Sequence, residues 1–216
     1  MSRREIRAAR RAAASGSGPT LEGQAPARVP GAKGAFALFG EVLWTGLLVT
    51  VGALAIVTLP AALVAGIQHL RRYVNAEQSH ARQFWQDWRR ALLPGGLVVG
   101  VAVAVIAVVL LIDVRLAGTG VLPGGAAVAV VGWAGLVIIA TVLLMTAASW
   151  TPENGWRPAI GAALRTAASD PIGTVYFAVA TVLAGVLTWM LVPLILAGLG
   201  CAVFAAVAIP LRLRRA

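Results

Sequence analysis

The side chains able to do chemistry are few and dispersed along the chain. Two histidines, His69 and His80, and a single cysteine, Cys201, are present in 216 residues. They do not build a dedicated zinc site, which usually takes three or four such ligands at short spacing. One cysteine also excludes an intrachain disulfide. The eight acidic residues are scattered, so no pair is spaced for general acid–base work. The few serines have no histidine nearby in a nucleophile–base order, and no glycine-rich phosphate loop occurs. These features point away from an enzyme, and no cofactor is expected.

The patterns that remain are aromatic, basic and proline-centred. Thr58-Leu59-Pro60-Ala61-Ala62-Leu63 is followed by Ala65-Gly66 and then His69-Leu70-Arg71-Arg72. Pro60 removes a helical hydrogen bond and predicts a kink, where Thr58 would satisfy the freed carbonyl. Downstream, Phe84, Trp88 and Leu92 recur every four residues and share a helical face. Together with Trp85, Arg89 and Arg90 they predict an amphipathic helix at the headgroup layer. There Arg71, Arg72 and the helix would meet phosphates or a protein partner. A second stretch, from Trp156 through Ile160, Leu164 and Arg165 to Pro171, repeats the design loosely. Gly96, Gly100 and Ala104 place small residues on one face, which allows close helix packing.

The elements that position these residues are set by composition. Apolar residues make up 59% of the chain and charged residues 12%, against roughly half and a quarter in soluble domains. Apolar runs predict membrane spans at about 42–65, 94–112, 121–145, 172–191 and 194–209. The first is long enough to cross a hydrocarbon core of about 30 Å at about 1.5 Å per residue. Period-2 alternation is absent, so helices are the remaining way to span. The expected fold is an all-α polytopic membrane bundle of about five transmembrane helices, with one or two amphipathic interface helices. Residues 1–34 read as a flexible basic tail, and 211–216 as a short basic one. No secretory signal is expected at the start, because about 30 residues separate the first arginines from the first apolar run.

Acids and bases fall at predicted span ends: Glu41, Asp113, Arg115 and Asp170. Buried carboxylates of a proton pump or ion-coupled transporter would sit at span centres instead. Thr45, Thr50, Thr141, Thr174, Thr181 and Thr188, with Tyr176, are the polar groups inside the runs. The threonines are expected to bond to their own helices or to a neighbour. Asp87 and Glu153 read as solvated or salt-bridged surface. The net charge of +10 belongs with lipid headgroups rather than nucleic acid, since no nucleic-acid-binding motif accompanies it.

Five spans put the chain ends on opposite sides. Counting basic residues near the spans gives ten on the side of 67–92, 147–171 and 211–216, and three opposite (Arg28, Lys33, Arg115). The positive-inside rule then predicts the N-terminus outside and the C-terminus in the cytoplasm. The alternative is a re-entrant first run, with the tail and the 67–92 loop both cytoplasmic.

The proline-centred motif around Pro60, the Phe84/Trp88 segment, Pro94-Gly95-Gly96 before the second span and the span layout resemble the YesL-like family of bacterial integral membrane proteins. The resemblance covers about residues 36–210; the long basic tail departs from it. It implies a plasma-membrane protein without assigned activity, associated with carbohydrate uptake by ATP-binding-cassette transporters, whose permease subunits would be the partners. The competing expectations are a small transporter or channel acting alone and a lipid- or envelope-organising protein.

Overall fold

In a computed structural model of the chain, residues 35–77, 79–119 and 124–213 are described. All belong to one compact unit, residues 31–216. The expected N-terminal tail and Pro123 lie outside the described residues, as do the last three residues of the basic C-terminus. The described residues form an all-α structure of eight α-helices: α1 (Ala35–Gly52), α2 (Leu59–Val74), α3 (Ala81–Ala91), α4 (Leu97–Ala117), α5 (Gly125–Ser149), α6 (Trp156–Ser169), α7 (Pro171–Met190) and α8 (Ile195–Leu213).

Four helical segments have the length and apolar composition to cross a membrane: Leu97–Ala117, Gly125–Ser149, Pro171–Met190 and Val192–Leu211. They coincide with the four later expected spans, with ends shifted by a few residues. Twenty residues of helix reach about 30 Å, the thickness of the hydrocarbon layer. Most of α4 and α7 is open to the surroundings: Gly100 is the one buried residue of α4, and Gly173 and Phe177 are those of α7. In water such apolar surface would drive aggregation; in lipid it is already solvated.

The first apolar run departs from expectation. It is not one kinked span over 42–65 but two helices folded back on each other. Helix α1 stops at Gly52, Ala55 is extended (φ −85°, ψ 110°), and a 3₁₀ turn over Ile56–Thr58 leads into α2. Pro60 lies in the first turn of α2, where its missing N–H removes no bond. The return is antiparallel: Glu41 of α1 reaches His69, and Thr45 and Val49 lie against Gly66. The carbonyls that Thr58 meets are not ones freed by Pro60 but those at the end of α1 and in the turn after it. The Thr58 hydroxyl proton is shared between the carbonyls of Gly52 (2.7 Å) and Ala55 (2.6 Å). The Trp88 indole N–H also donates to Gly52 O, at 3.0 Å. Carbonyls freed at the end of α1 are thereby satisfied.

Helix α2 is the central element. Every residue from Pro60 to Ile67 is buried, as are His69, Leu70 and Val74. Small residues let neighbouring helices approach. Gly46 of α1 meets the Leu196 carbonyl, and Gly200 of α8 meets the Val42 carbonyl, so α1 and α8 are antiparallel. Helices α4 and α5 form a hairpin in which Gly125 faces Ala117 and Gly135 faces Leu110. Between α6 and α7 the break is sharp. The Asp170 carboxylate accepts from Gly173 N at 2.9 Å, and Pro171 opens α7, a standard N-cap with proline in the first turn. Between α3 and α4, in contrast, a π-helical segment over Leu92–Gly96 carries the chain on without a loop. Gly95 there has φ 97°, a conformation that favours glycine.

Candidate functional site: a polar cluster around His69

The last two turns of α2 carry Gln68, His69, Arg71 and Arg72. Each finds its partner on a different neighbouring helix or loop. The His69 Nε2 lies 2.8 Å from Glu41 Oε1 on α1. Arg71 donates to Ala148 O of α5 at 2.7 Å. Gln68 donates to Trp150 O at 3.5 Å. Arg72 reaches Asp87 Oδ2 of α3 at 2.6 Å. The Phe84 ring packs edge-on against His69, with centroids 6.5 Å apart and planes at 83°. The α2 sequence thus joins three of its neighbours through charge-assisted and backbone hydrogen bonds.

His69 is fully buried. Desolvation pulls its pKa below the ordinary 6.5, and this outweighs the opposing pull of the Glu41 carboxylate. Arg72 adds to the lowering and Asp87 opposes it. The imidazole is therefore neutral near pH 7. Its Nε2–H donates to Glu41, and Nδ1 is left as a buried acceptor with no partner among the described residues. Thr45 Oγ1, Thr146 Oγ1, Trp150 Nε1 and Arg72 Nη1 are likewise buried without partners among the described residues. A buried polar atom without a partner costs about 1–3 kcal/mol, and internal water ordinarily offsets such costs.

A pH prediction follows from the lowered pKa. Below pH 6.5 the unfolded chain binds a proton that folded His69 resists, so stability is full above that pH and falls as acid is added. The slope contributed by one such group is at most about 1.4 kcal/mol per pH unit. Thermal unfolding in detergent between pH 7.5 and 5 should show a falling midpoint, and His69→Gln should flatten that fall. The same acid sensitivity in both proteins would rule out His69 as its source.

The sequence-predicted site residues divide between inside and outside. Phe84 is fully buried, Trp85 and Trp88 are half-buried, and Arg89 and Arg90 are exposed. The aromatic face of α3 is therefore covered by protein, whereas the sequence reading expected its rings at the headgroup layer. It packs inward on α2 and the α1–α2 reversal, because the Trp88 indole and the Asp87 carboxylate both find protein partners there. Asp87 is buried (7% exposed), not solvated surface. The outward face of α3 carries Arg82, Gln86, Arg89 and Arg90. Arg71 and Arg72 are half-buried and engaged inside the fold. Gly96 and Gly100 are buried, Ala104 is half-buried, and a methyl group at position 100 would overlap the Val57 carbonyl oxygen.

The loose repeat also acquires a contact. Trp156, which opens α6, donates its indole N–H to Ala91 O at the end of α3, at 2.8 Å. The two stretches are joined differently to the helices that follow: α3 by the π-helical segment, α6 by a capped break. Five threonines, Thr50, Thr141, Thr174, Thr181 and Thr188, donate to the carbonyl four residues back in the chain.

Sequence reading missed the Glu41–His69 pair. Its members are 28 residues apart, and only the reversal at 53–58 brings them together. A signal was present: two ionisable residues flank one apolar run that holds an internal proline. Among the described residues no group of three or more His, Cys, Asp and Glu stands close enough to hold a metal ion. No family model, curated protein or solved structure matches this chain.

Proposed function

We propose that this multi-pass membrane protein is a non-catalytic accessory component of the bacterial plasma membrane, which holds a permease partner through the outer face of α3. The observation that carries the reading is the anchoring of α3. Phe84, Asp87 and Trp88 fix its inner face to α2 and the α1–α2 reversal, and Arg82, Arg89 and Arg90 stand outward on a rigid support. Such a surface pays little ordering entropy on binding and is complementary to an acidic partner segment. The likeness of the Pro60 and Phe84/Trp88 segments to the YesL-like family supports a link to carbohydrate import by ATP-binding-cassette transport. The threonines that bond within their own helices favour this over a solute path lined by hydroxyls.

The α1–α2 fold-back supports an orientation different from the five-span one. With α4, α5, α7 and α8 crossing, both chain ends lie on one side. Of the basic residues within about 15–20 positions of a span end, eight (Arg82, Arg89, Arg90, Arg157, Arg165, Arg212, Arg214 and Arg215) then share that side, and Arg115 alone is opposite. Under the positive-inside rule that side is the cytoplasm. The contact of Trp156 with Ala91 supports α3 and α6 being on the same face of the membrane.

Affinity purification in mild detergent tests the reading. Wild type should recover permease subunits, and the triple variant Arg82→Glu, Arg89→Glu, Arg90→Glu should recover at least tenfold less. Equal recovery by both, or none by either under several growth conditions, rejects it. For orientation, reporters that work only in the cytoplasm should be active at both ends of the chain. An N-terminal reporter active only outside the cell would restore the five-span arrangement.

A further inference from the structure

Where α2 ends and α8 completes its last turns, the two helices enclose a cleft of about 340 Å³. Its polar wall is Arg71 and Asn75; its apolar wall is Val74, Val207, Pro210 and Leu211. Leu211 is also the last residue of the membrane-crossing segment Val192–Leu211. The cleft is therefore placed where a span leaves the hydrocarbon, with one charged side and one greasy side.

Arg71 has no carboxylate partner among the described residues: Glu41 accepts from the neutral His69, and Asp87 pairs with Arg72 and Arg90. It donates to Ala148 O. Burial lowers its pKa, with no neighbouring acid acting in the other direction. A desolvated guanidinium left without a counter-charge is costly, and it presents donors in a geometry that suits phosphate oxygens. The carbonyl ends of α2 and α8 disfavour an anion, but a helix end carries only about half a charge, against a full one on Arg71.

We propose that this cleft binds an anionic glycerophospholipid, with Arg71 and Asn75 holding its phosphate and Val207 and Leu211 lying along the first part of an acyl chain. Basic pockets between membrane helices take anionic headgroups in this way. The inference is independent of the partner assigned to α3, which uses other arginines.

The test is lipid retention by the purified full chain, read by native mass spectrometry and by thermal shift. At equal mole fractions of phosphatidylglycerol and phosphatidylcholine, the wild type should retain the anionic lipid at least tenfold more. It should also be raised in unfolding midpoint by phosphatidylglycerol alone. Arg71→Gln should lose both effects. Leu211→Trp, which keeps the Arg71 bond to Ala148 and fills the cleft from its exposed edge, should lose them as well and decides the matter if Arg71→Gln does not fold. No preference between the lipids, or a preference retained by Leu211→Trp, overturns the proposal. Millimolar inorganic phosphate stabilising as well as phosphatidylglycerol would overturn the lipid assignment in favour of a free anion.

Discussion

Gly100→Ala should lower the stability of the folded protein by about 2–3 kcal/mol, the upper part of the range for overpacking a filled site. The added methyl group would overlap the Val57 carbonyl oxygen, and Val57 belongs to the short turn that reverses the chain between α1 and α2. Neither side has an easy way to yield. The turn is held by Thr58 and Trp88, and α4 is held by the π-helical segment joining it to α3. Gly185→Ala is the matched control. It lies inside the C-terminal half of α7, and a methyl group there meets nothing within 4 Å, so the better helix propensity of alanine should leave stability unchanged or raise it by up to about 1 kcal/mol. Thermal unfolding of the two variants in one detergent compares them directly. A Gly100→Ala protein as stable as wild type would mean that α4 does not dock on the reversal.

Asp87→Ala should cost about 3 kcal/mol, more than the loss of an ordinary surface ion pair. The Asp87 side chain is 10% exposed and that of its partner Arg72 is 26% exposed, so removing the carboxylate strands a cation that already has one buried nitrogen without a partner. The double variant Arg72→Met, Asp87→Leu removes both charges and should recover most of that loss, since hydrophobic replacement of a buried pair is often neutral. The difference between single and double variants isolates the coupling. If the double variant is as unstable as Asp87→Ala, the cost arises from packing of α3 and not from the stranded charge.

Much of the architecture was legible in the sequence. The α4, α5, α7 and α8 segments announce themselves because each apolar run is long and has no charge at its centre. The capped break before Pro171 and the tight turn at Pro193 are local events that residue types dictate. The amphipathicity of α3 was also legible, but the direction of its aromatic face was not. Periodicity shows that Phe84 and Trp88 share a face; it does not show whether lipid or protein covers that face. The cover is Gly52 O for the Trp88 indole and the His69 ring for Phe84, from residues 36 and 15 positions away.

The first apolar run marks the boundary between the two kinds of information. Its length and composition determined by themselves that it would be helical and hidden from water. Whether it crossed or doubled back was decided by the tertiary structure. A helix that stops at Gly52 exposes carbonyls that must be paired in an apolar setting, and the side chains that pair them, Thr58 and Trp88, meet only when α3 is docked. The same docking sets Arg72 against Asp87. The fold-back that accompanies it brings Glu41 to His69, so charges that look like surface in the sequence become the interior of the fold. Local chemistry chose the helices and the places where they end, while pairing between distant residues chose how they turn.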